Sequence, residues 1–336
     1  MPQTSSTRSK IAFVSQPEYF RFMYEHDLDA FAEVREFKLT FSMGTEQFLD
    51  LLQYDADINI FFRGEYVPHE VLQQLSGVKV NLSSEPFPRE INKHIEYTRD
   101  SLVRYCSFRT IRTKPFDYVF HYDASSLNFM QNDGLKLSGE FAFPVATGIY
   151  KPMDIPKNWD IFFIGRSTNH REKYFGPLKH YFNFLHIAHG IWGKELVKYI
   201  SASRINLNVH AENEVSWEPR LQMMLACRAF VISEKITPNS YLRPGIDFVE
   251  VSTQYEMFDA VSHYLQYPDK RDTIALNGYN RVQELLCSRT SFKNLIEGIF
   301  LEKYPRFSPK SGSIILDNYV KIRNVSSKLQ NLFLRR

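Results

Sequence analysis

The sequence predicts an α/β protein built of two doubly wound, Rossmann-like domains facing a cleft, with a helix at the C-terminus. Three observations carry that prediction. Short apolar, β-branched runs alternate with stretches of helical period; the alternation breaks in a proline-rich segment before residue 158; and it then restarts. A chain of 336 residues is long for one core and about right for two.

In the first half, 10–15 (KIAFVS) and a run within 31–41 (FAEVREFKLTF) read as strands, with a helix or loop between them. A capping-type Thr45 opens a helix over 45–54, where Phe48, Leu51 and Leu52 share a face, and 57–62 (DINIFF) follows as a strand. The βαβ rhythm continues with a helix at 68–75, a strand at 78–82, a helix within 89–105, a strand at 117–121 and a short helix at 124–130. Residues 143–157 (FPVATGIYKPMDIPK) hold three prolines and little periodicity, which places a domain boundary between 154 and 155. Beyond it, 159–165 (WDIFFIG), 205–210 (INLNVH), 229–234 (AFVISE) and 248–251 (FVEV) read as strands, and 195–203, 220–226, 254–265 and 269–287 as helices. The division expected is 1–154, 155–305 and a tail at 306–336.

Bulk composition excludes several classes. Apolar residues make up 43% and charged residues 24%, which argues against a disordered, collagen-like or membrane-embedded chain. A net charge of +3 lacks the basic excess that phosphate neutralisation demands, so no nucleic-acid partner is expected. Cys106, Cys227 and Cys287 are widely spaced without a CxxC pair, which points to reduced thiols and a cytoplasmic setting. The apolar run at 11–15 is too brief for the core of a signal peptide.

Two segments offer anion-binding chemistry. FIGRSTNHR places Gly165, Arg166 and Ser167 just past a strand, where ligand crevices of open α/β sheets lie, with Arg171 one helical turn on. As plain structure, Arg166 and Arg171 would be solvated residues at a helix start. In SWEPRLQMMLACRAFVISE, Glu218 and Arg220 open an apolar helix; Arg220 suits a diphosphate, and Glu218 suits the two ribose hydroxyls or merely the helix dipole. Met223 and Met224 read as core packing.

In order and spacing, WDIFFIGRSTNHREKY, KELVKYISASRINLNVH, PRLQMMLACRAFVISE and PGIDFVEVSTQYEMFDAVSHYLQYPDKRDTIALNGYNRVQE resemble the C-terminal domain of CgeB-like glycosyltransferases, group-1 transferases of GT-B architecture. The upstream FPVATGIYKP resembles that family's entry into the domain. The resemblance implies that this half binds a nucleotide-sugar donor, with Gly165 and Arg166 near phosphate, Asn206, Asn208 and His210 at a strand end, and Arg220 at the cleft. The implied reaction moves the sugar to a hydroxyl of a glycan, lipid or protein acceptor. No cofactor is implied, the nucleotide-sugar being a substrate, and no bound metal. Growing charge on the diphosphate would be met by arginines and helix dipoles.

Two positions depart from the family pattern: Met223 stands where it has a glutamate, and Arg228 where it has a glycine. The ribose carboxylate is then Glu218 or Glu234, or the donor is held differently, or the chain is a non-catalytic glycan- or nucleotide-binding protein on the same fold. A nucleotide-sugar epimerase is the third reading.

The N-terminal half resembles the family only loosely, as the acceptor-binding half, and its general base must come from a strand end. Glu65, near Arg63, Gly64 and His69, competes with Glu85 and with Asp123, next to His121. Glu65 is preferred because Gly64 permits close backbone approach and Arg63 suits phosphate. Each has the plainer reading of a solvent-facing loop carboxylate, and His121 and His210 that of structural histidines. The tail sets Ile315, Tyr319, Ile322 and Leu329 among Lys321, Arg323, Lys328, Arg335 and Arg336. That suits a helix docking back on the protein, or peripheral contact with the inner face of a membrane carrying a lipid-linked acceptor.

Overall fold

The computed structural model describes residues 8–25, 28, 31–40, 44–211, 217–237, 239–312 and 316. Strand β1 (Ser9–Ser15) carries Ile11, Ala12, Phe13 and Val14, all without exposure, the signature of a strand covered on both faces. After it come α1 (Pro17–Phe20), β2 (Ala32–Lys38), α2 (Leu49–Tyr54), β3 (Ile58–Phe62), α3 (His69–Gln74), β4 (Val78–Ser83), β5 (Arg89–Ile91), β6 (His94–Glu96), α4 (Arg99–Phe108), β7 (Tyr118–His121), α5 (Ala124–Asn132), β8 (Leu135–Lys136) and β9 (Gly139–Glu140). Six of these strands make a parallel sheet in the order β2-β1-β3-β4-β7-β9.

The rhythm restarts with β10 (Trp159–Ile164), α6 (Asn169–Tyr181), β11 (Phe184–Ile187), α7 (Gly193–Ser201), β12 (Ser203–Asn208), α8 (Pro219–Ala226), β13 (Val231–Glu234), β14 (Val249–Val251), α9 (Gln254–Gln266), α10 (Pro268–Leu285) and α11 (Ser288–Phe300). A second parallel sheet has the order β11-β10-β12-β13-β14. Alternation along its strands sends Ile161, Phe163, Ile205 and Leu207 to one face, against Tyr174, Phe175 and Leu178 of α6 and Met257 and Val261 of α9. Phe162 turns to the other face, its ring 6.1 Å from that of Tyr199 on α7. Helices on both faces make the unit doubly wound. In each sheet the chain steps from its first strand to one neighbour and then crosses to the other side, so a switch point lies between β1 and β3 and another between β10 and β12.

The division of the chain differs from the one expected at 154/155. One unit holds residues 1–16, 31–142 and 297–336, and the other 17–30 and 143–296. The proline-rich segment fails as a linker because its first residues are bonded into the second unit. Val145 N–H donates to Leu286 O at 2.8 Å, and Ser288 N–H donates to Val145 O at 2.9 Å. Ala146 N–H donates to Phe22 O at 2.7 Å, and the buried Glu25 carboxylate accepts from Gly148 N–H at 2.9 Å and Ser288 Oγ at 3.0 Å. The same contacts place residues 17–30 with that unit.

Two elements also differ. The helix expected within 89–105 starts only at Arg99, behind a Thr98 cap; before it β5 and β6 form an antiparallel hairpin turned by Asn92 and Lys93, both left-handed at φ 52° and 67°. The tail opens as a strand, β15 (Ser308–Pro309), paired with β8, while Phe307 joins the first unit's core. The expected tail helix lies outside the described residues, apart from Leu316, which is helical. Among the described residues no helix is long and apolar enough to cross a membrane.

Candidate active site

At the switch point of the second sheet, the carboxyl ends of β10 and β12 are bridged by two buried arginines. Arg220 enters from the first turn of α8, which Pro219 starts and Leu221, Met224 and Leu225 anchor in the core. Its Nη1 donates to Ile164 O, its Nε to Asn208 Oδ1 at 3.2 Å and its Nη2 to Val209 O at 3.5 Å. Arg171 enters from α6, whose Thr168 cap accepts from Arg171 N–H at 3.2 Å. Its Nε donates to Val209 O at 3.0 Å and its Nη1 to Arg166 O at 2.8 Å. Both guanidiniums lie over the Phe163 ring, 4.9 Å and 4.7 Å from its centroid.

Gly165 lets them converge. It has φ +143°, and a Cβ there would stand 2.8 Å from Arg220 Nη1 and 3.1 Å from Arg171 Nη1, so the site needs glycine both for conformation and for space. Burial, and next the charge of Arg220, pull the Arg171 guanidinium down to about 10, while burial lowers Arg220 against the opposing pull of Glu218. Two like charges held this close, facing one carboxylate, form a site whose electrostatics favour an anion.

Glu218 is that carboxylate. Its Oε2 lies 3.3 Å from Arg220 Nη2 and its Oε1 3.8 Å from His210 Nδ1. Burial alone would raise its carboxyl, but the Arg220 charge and then His210 outweigh it and hold Glu218 below the usual carboxylate range. Glu218, Arg220 and Met223 line a concavity of about 330 Å³ together with Tyr19, Tyr150 and Trp192. The two tyrosines and Trp192 escaped sequence reasoning. The available signal was a tryptophan in the loop HGIWG between a strand and a helix; Trp192 is 62% exposed, unusual for its size.

The remaining expected donor residues divide. Arg166 is exposed and offers its carbonyl to Arg171; Ser167 is exposed, with its hydroxyl on Glu172 at 2.6 Å, and so serves the start of α6. Asn208 is fully buried behind Arg220 and has no exposed surface to offer a donor. His210 is buried, with its N–H on Glu234 Oε2 at 2.7 Å and its Nε2 against Lys235 O at 2.7 Å. Glu234 also meets His170 Nε2 at 2.8 Å, so its carboxylate is engaged structurally. Arg228 adopts φ 53° after α8, the left-handed conformation a glycine takes most easily.

In the first unit, none of the three expected bases is a solvent-facing loop carboxylate. Glu65 is 6% exposed, with Oε1 accepting from Arg63 Nε at 2.8 Å; burial raises its carboxyl despite Arg63, and its Oε2 has no partner among the described residues. Gly64, beside it, is spent on the protein itself: its N–H donates to Asn81 Oδ1 at 2.7 Å. Glu85 is clasped by Arg63 and Arg104. Asp123 caps α5 through Ser125 N–H at 2.9 Å and takes Arg89 Nε at 2.6 Å. Burial pushes its carboxyl up, yet Arg89 and Ser125 hold it below the usual range, the wrong direction for a base. His121 stacks flat on Phe87, 4.8 Å between centroids, and burial lowers it to about 4, so it is a neutral core histidine. His69 is exposed, its Nδ1 2.8 Å from Thr113 O.

Residues 162–295, less than half of the chain, match a family described as glycosyl transferase-like. A comparison with curated proteins returns no match. Among solved structures, the chain is similar to sucrose-phosphate synthase of Thermosynechococcus elongatus, at 12% identity over 88% of this chain and 100% of that one, with a TM-score of 0.57. It is similar to Anabaena HepE in complex with UDP and glucose, at 10% identity over 88% and 100%, TM-score 0.59. A glycosyltransferase from Rickettsia africae matches at 12% identity over 88% and 99%, TM-score 0.52. Two parallel, doubly wound units and these likenesses together make the fold GT-B.

Proposed function

We propose that the protein is a glycosyltransferase that takes a sugar from a nucleotide-sugar and transfers it to a hydroxyl of a glycan, lipid or protein. The observation that carries this reading is the pair Arg171 and Arg220, buried against Gly165 at the switch point of the second sheet. Departure of the sugar builds negative charge on the leaving diphosphate. Guanidiniums already fixed to strand-end carbonyls need little reorganisation to meet it. HepE, which shares the fold, was solved with UDP and glucose and with UDP-glucose, and that supports a nucleotide-sugar as the ligand class. The match to a glycosyl transferase-like family over 162–295 supports the same half as the donor half, in line with the CgeB-like resemblance.

In this reading Arg220 meets the diphosphate, Arg171 reinforces the field, and Glu218, ionised and lining the same concavity as Met223, accepts from the ribose hydroxyls. Glu65 is the proposed base, because its Oε2 has no partner among the described residues and burial raises its carboxyl against the pull of Arg63. A cytoplasmic place in polysaccharide biosynthesis accompanies the proposal. The test is incubation with UDP-, GDP-, dTDP- and CMP-sugars, reading nucleotide release with and without candidate acceptors. Slow donor hydrolysis that quickens with an acceptor is expected. Met223 favours a second reading, a binding protein without turnover, in which a nucleotide raises the melting temperature and no donor is consumed.

A further inference from the structure

We infer that Asn208 and Ser233 form a buried relay that sets the aim of Arg220, making Asn208 a positioning residue and not a donor contact. The inference rests on the proposed role of Arg220 toward a diphosphate. Asn208 and Ser233 are paired across β12 and β13, and neither has any exposed surface. Ser233 Oγ donates to Glu234 O at 2.6 Å, which commits its one hydroxyl proton. Its lone pairs then accept from Asn208 Nδ2 at 2.9 Å, and this turns the amide so that Oδ1 faces Arg220 Nε at 3.2 Å. The chain of donors has one direction, from Asn208 Nδ2 to Ser233 to the Glu234 carbonyl, and it leaves Oδ1 as the one side-chain acceptor Asn208 presents.

A guanidinium is planar, so an acceptor fixed on Nε sets the plane in which Nη1 and Nη2 lie. Ile164 O and Val209 O receive those two nitrogens at either side of the switch point. A leucine of similar size would fill this buried strand position, but it would leave Arg220 Nε without its acceptor. What the amide adds is a side chain ordered before the ligand arrives, which removes part of the ordering cost of binding.

The test compares UDP with uridine, and GDP with guanosine, by calorimetric titration of the full chain. Asn208→Leu is expected to weaken the diphosphate by about tenfold while the nucleoside changes less than about twofold, since Arg220 touches only phosphate. Ser233→Ala shifts the diphosphate in the same direction by less, and Ser233→Thr, which keeps the hydroxyl, restores it. In an Arg220→Ala background, Asn208→Leu changes diphosphate affinity less than about twofold, because the residue through which it acts is gone. Equal losses for diphosphate and nucleoside, an additive loss in the Arg220→Ala background, or an Arg220→Ala protein that binds UDP like the parent each overturn the relay. If Asn208→Leu does not fold, the Ser233 pair carries the test. A parent protein that binds no nucleotide overturns the proposed function instead.

Discussion

Replacing Arg220 by alanine removes the guanidinium that spans the ends of β10 and β12. Because the residue is only 9% exposed, bulk water does not screen it as it would a surface cation. A hydrogen bond to a charged group contributes about 1.5–3 kcal/mol net. At about 1.4 kcal/mol per decade, that is a loss of about tenfold to about 150-fold in diphosphate affinity. Two features push toward the larger figure. Glu218 Oε2, now 3.3 Å from its cation, would face the diphosphate uncompensated, and the Ile164 and Val209 carbonyls would each lose a donor. Arg220→Lys keeps the charge without the fork, and a loss of about tenfold is expected. The assay is calorimetric titration with UDP and GDP at fixed ionic strength, with a thermal scan of each variant. An Arg220→Ala protein that folds and binds within about twofold of the parent would refute the assignment.

Gly165→Ala introduces a methyl 2.8 Å from Arg220 Nη1 in a conformation alanine avoids, so a stability loss of about 1–3 kcal/mol is expected together with weaker diphosphate binding; an unchanged melting temperature would contradict the packing. His121, lowered to about 4 from an ordinary 6.5, takes up its proton in the unfolded chain at higher pH than in the folded one. Its stabilisation is therefore present above pH 6.5 and is lost as pH falls toward 4, by about 3 kcal/mol. His121→Leu should flatten the urea-unfolding pH profile across that window; an identical profile in the variant would show that another group titrates. Arg228→Gly relieves a left-handed non-glycine residue after α8 and should raise stability by up to about 1 kcal/mol, read as melting temperature; a clear decrease would mean that the Arg228 side chain has an unrecognised partner.

Much of the fold was legible because buried parallel strands are short apolar runs: KIAFVS, DINIFF and WDIFFI became β1, β3 and β10 with little change of bounds. β11 was missed because it is an edge strand of four half-buried residues, without the apolar density of the central ones. The β5–β6 hairpin hid in a charged stretch whose one clear signal was Asn92 at a left-handed turn position. Local pattern also put Gly165 just past a strand, Arg171 one helical turn on and Arg220 in the first turn of an apolar helix, which is where β10, α6 and α8 have them. What it could not supply was the partner of each side chain. Glu65 and Asp123 look alike in sequence, yet Arg63 sits beside one and Arg89 beside the other, and burial sends one carboxyl up while the partners pull the other down. In sequence Asn208 looks like a ligand contact at a strand end; its enclosure depends on Ser233, 25 residues away, and on Arg220 folding over it.

The central claim is that a nucleoside diphosphate lies on Arg220 at the carboxyl end of the second sheet. A crystal structure of the protein soaked with UDP or GDP tests it most directly. Density for the diphosphate within hydrogen-bonding distance of Arg220, next to Gly165, is the expected result. A nucleotide bound elsewhere on the protein, with Arg220 still engaged only by Glu218 and the strand-end carbonyls, would contradict it.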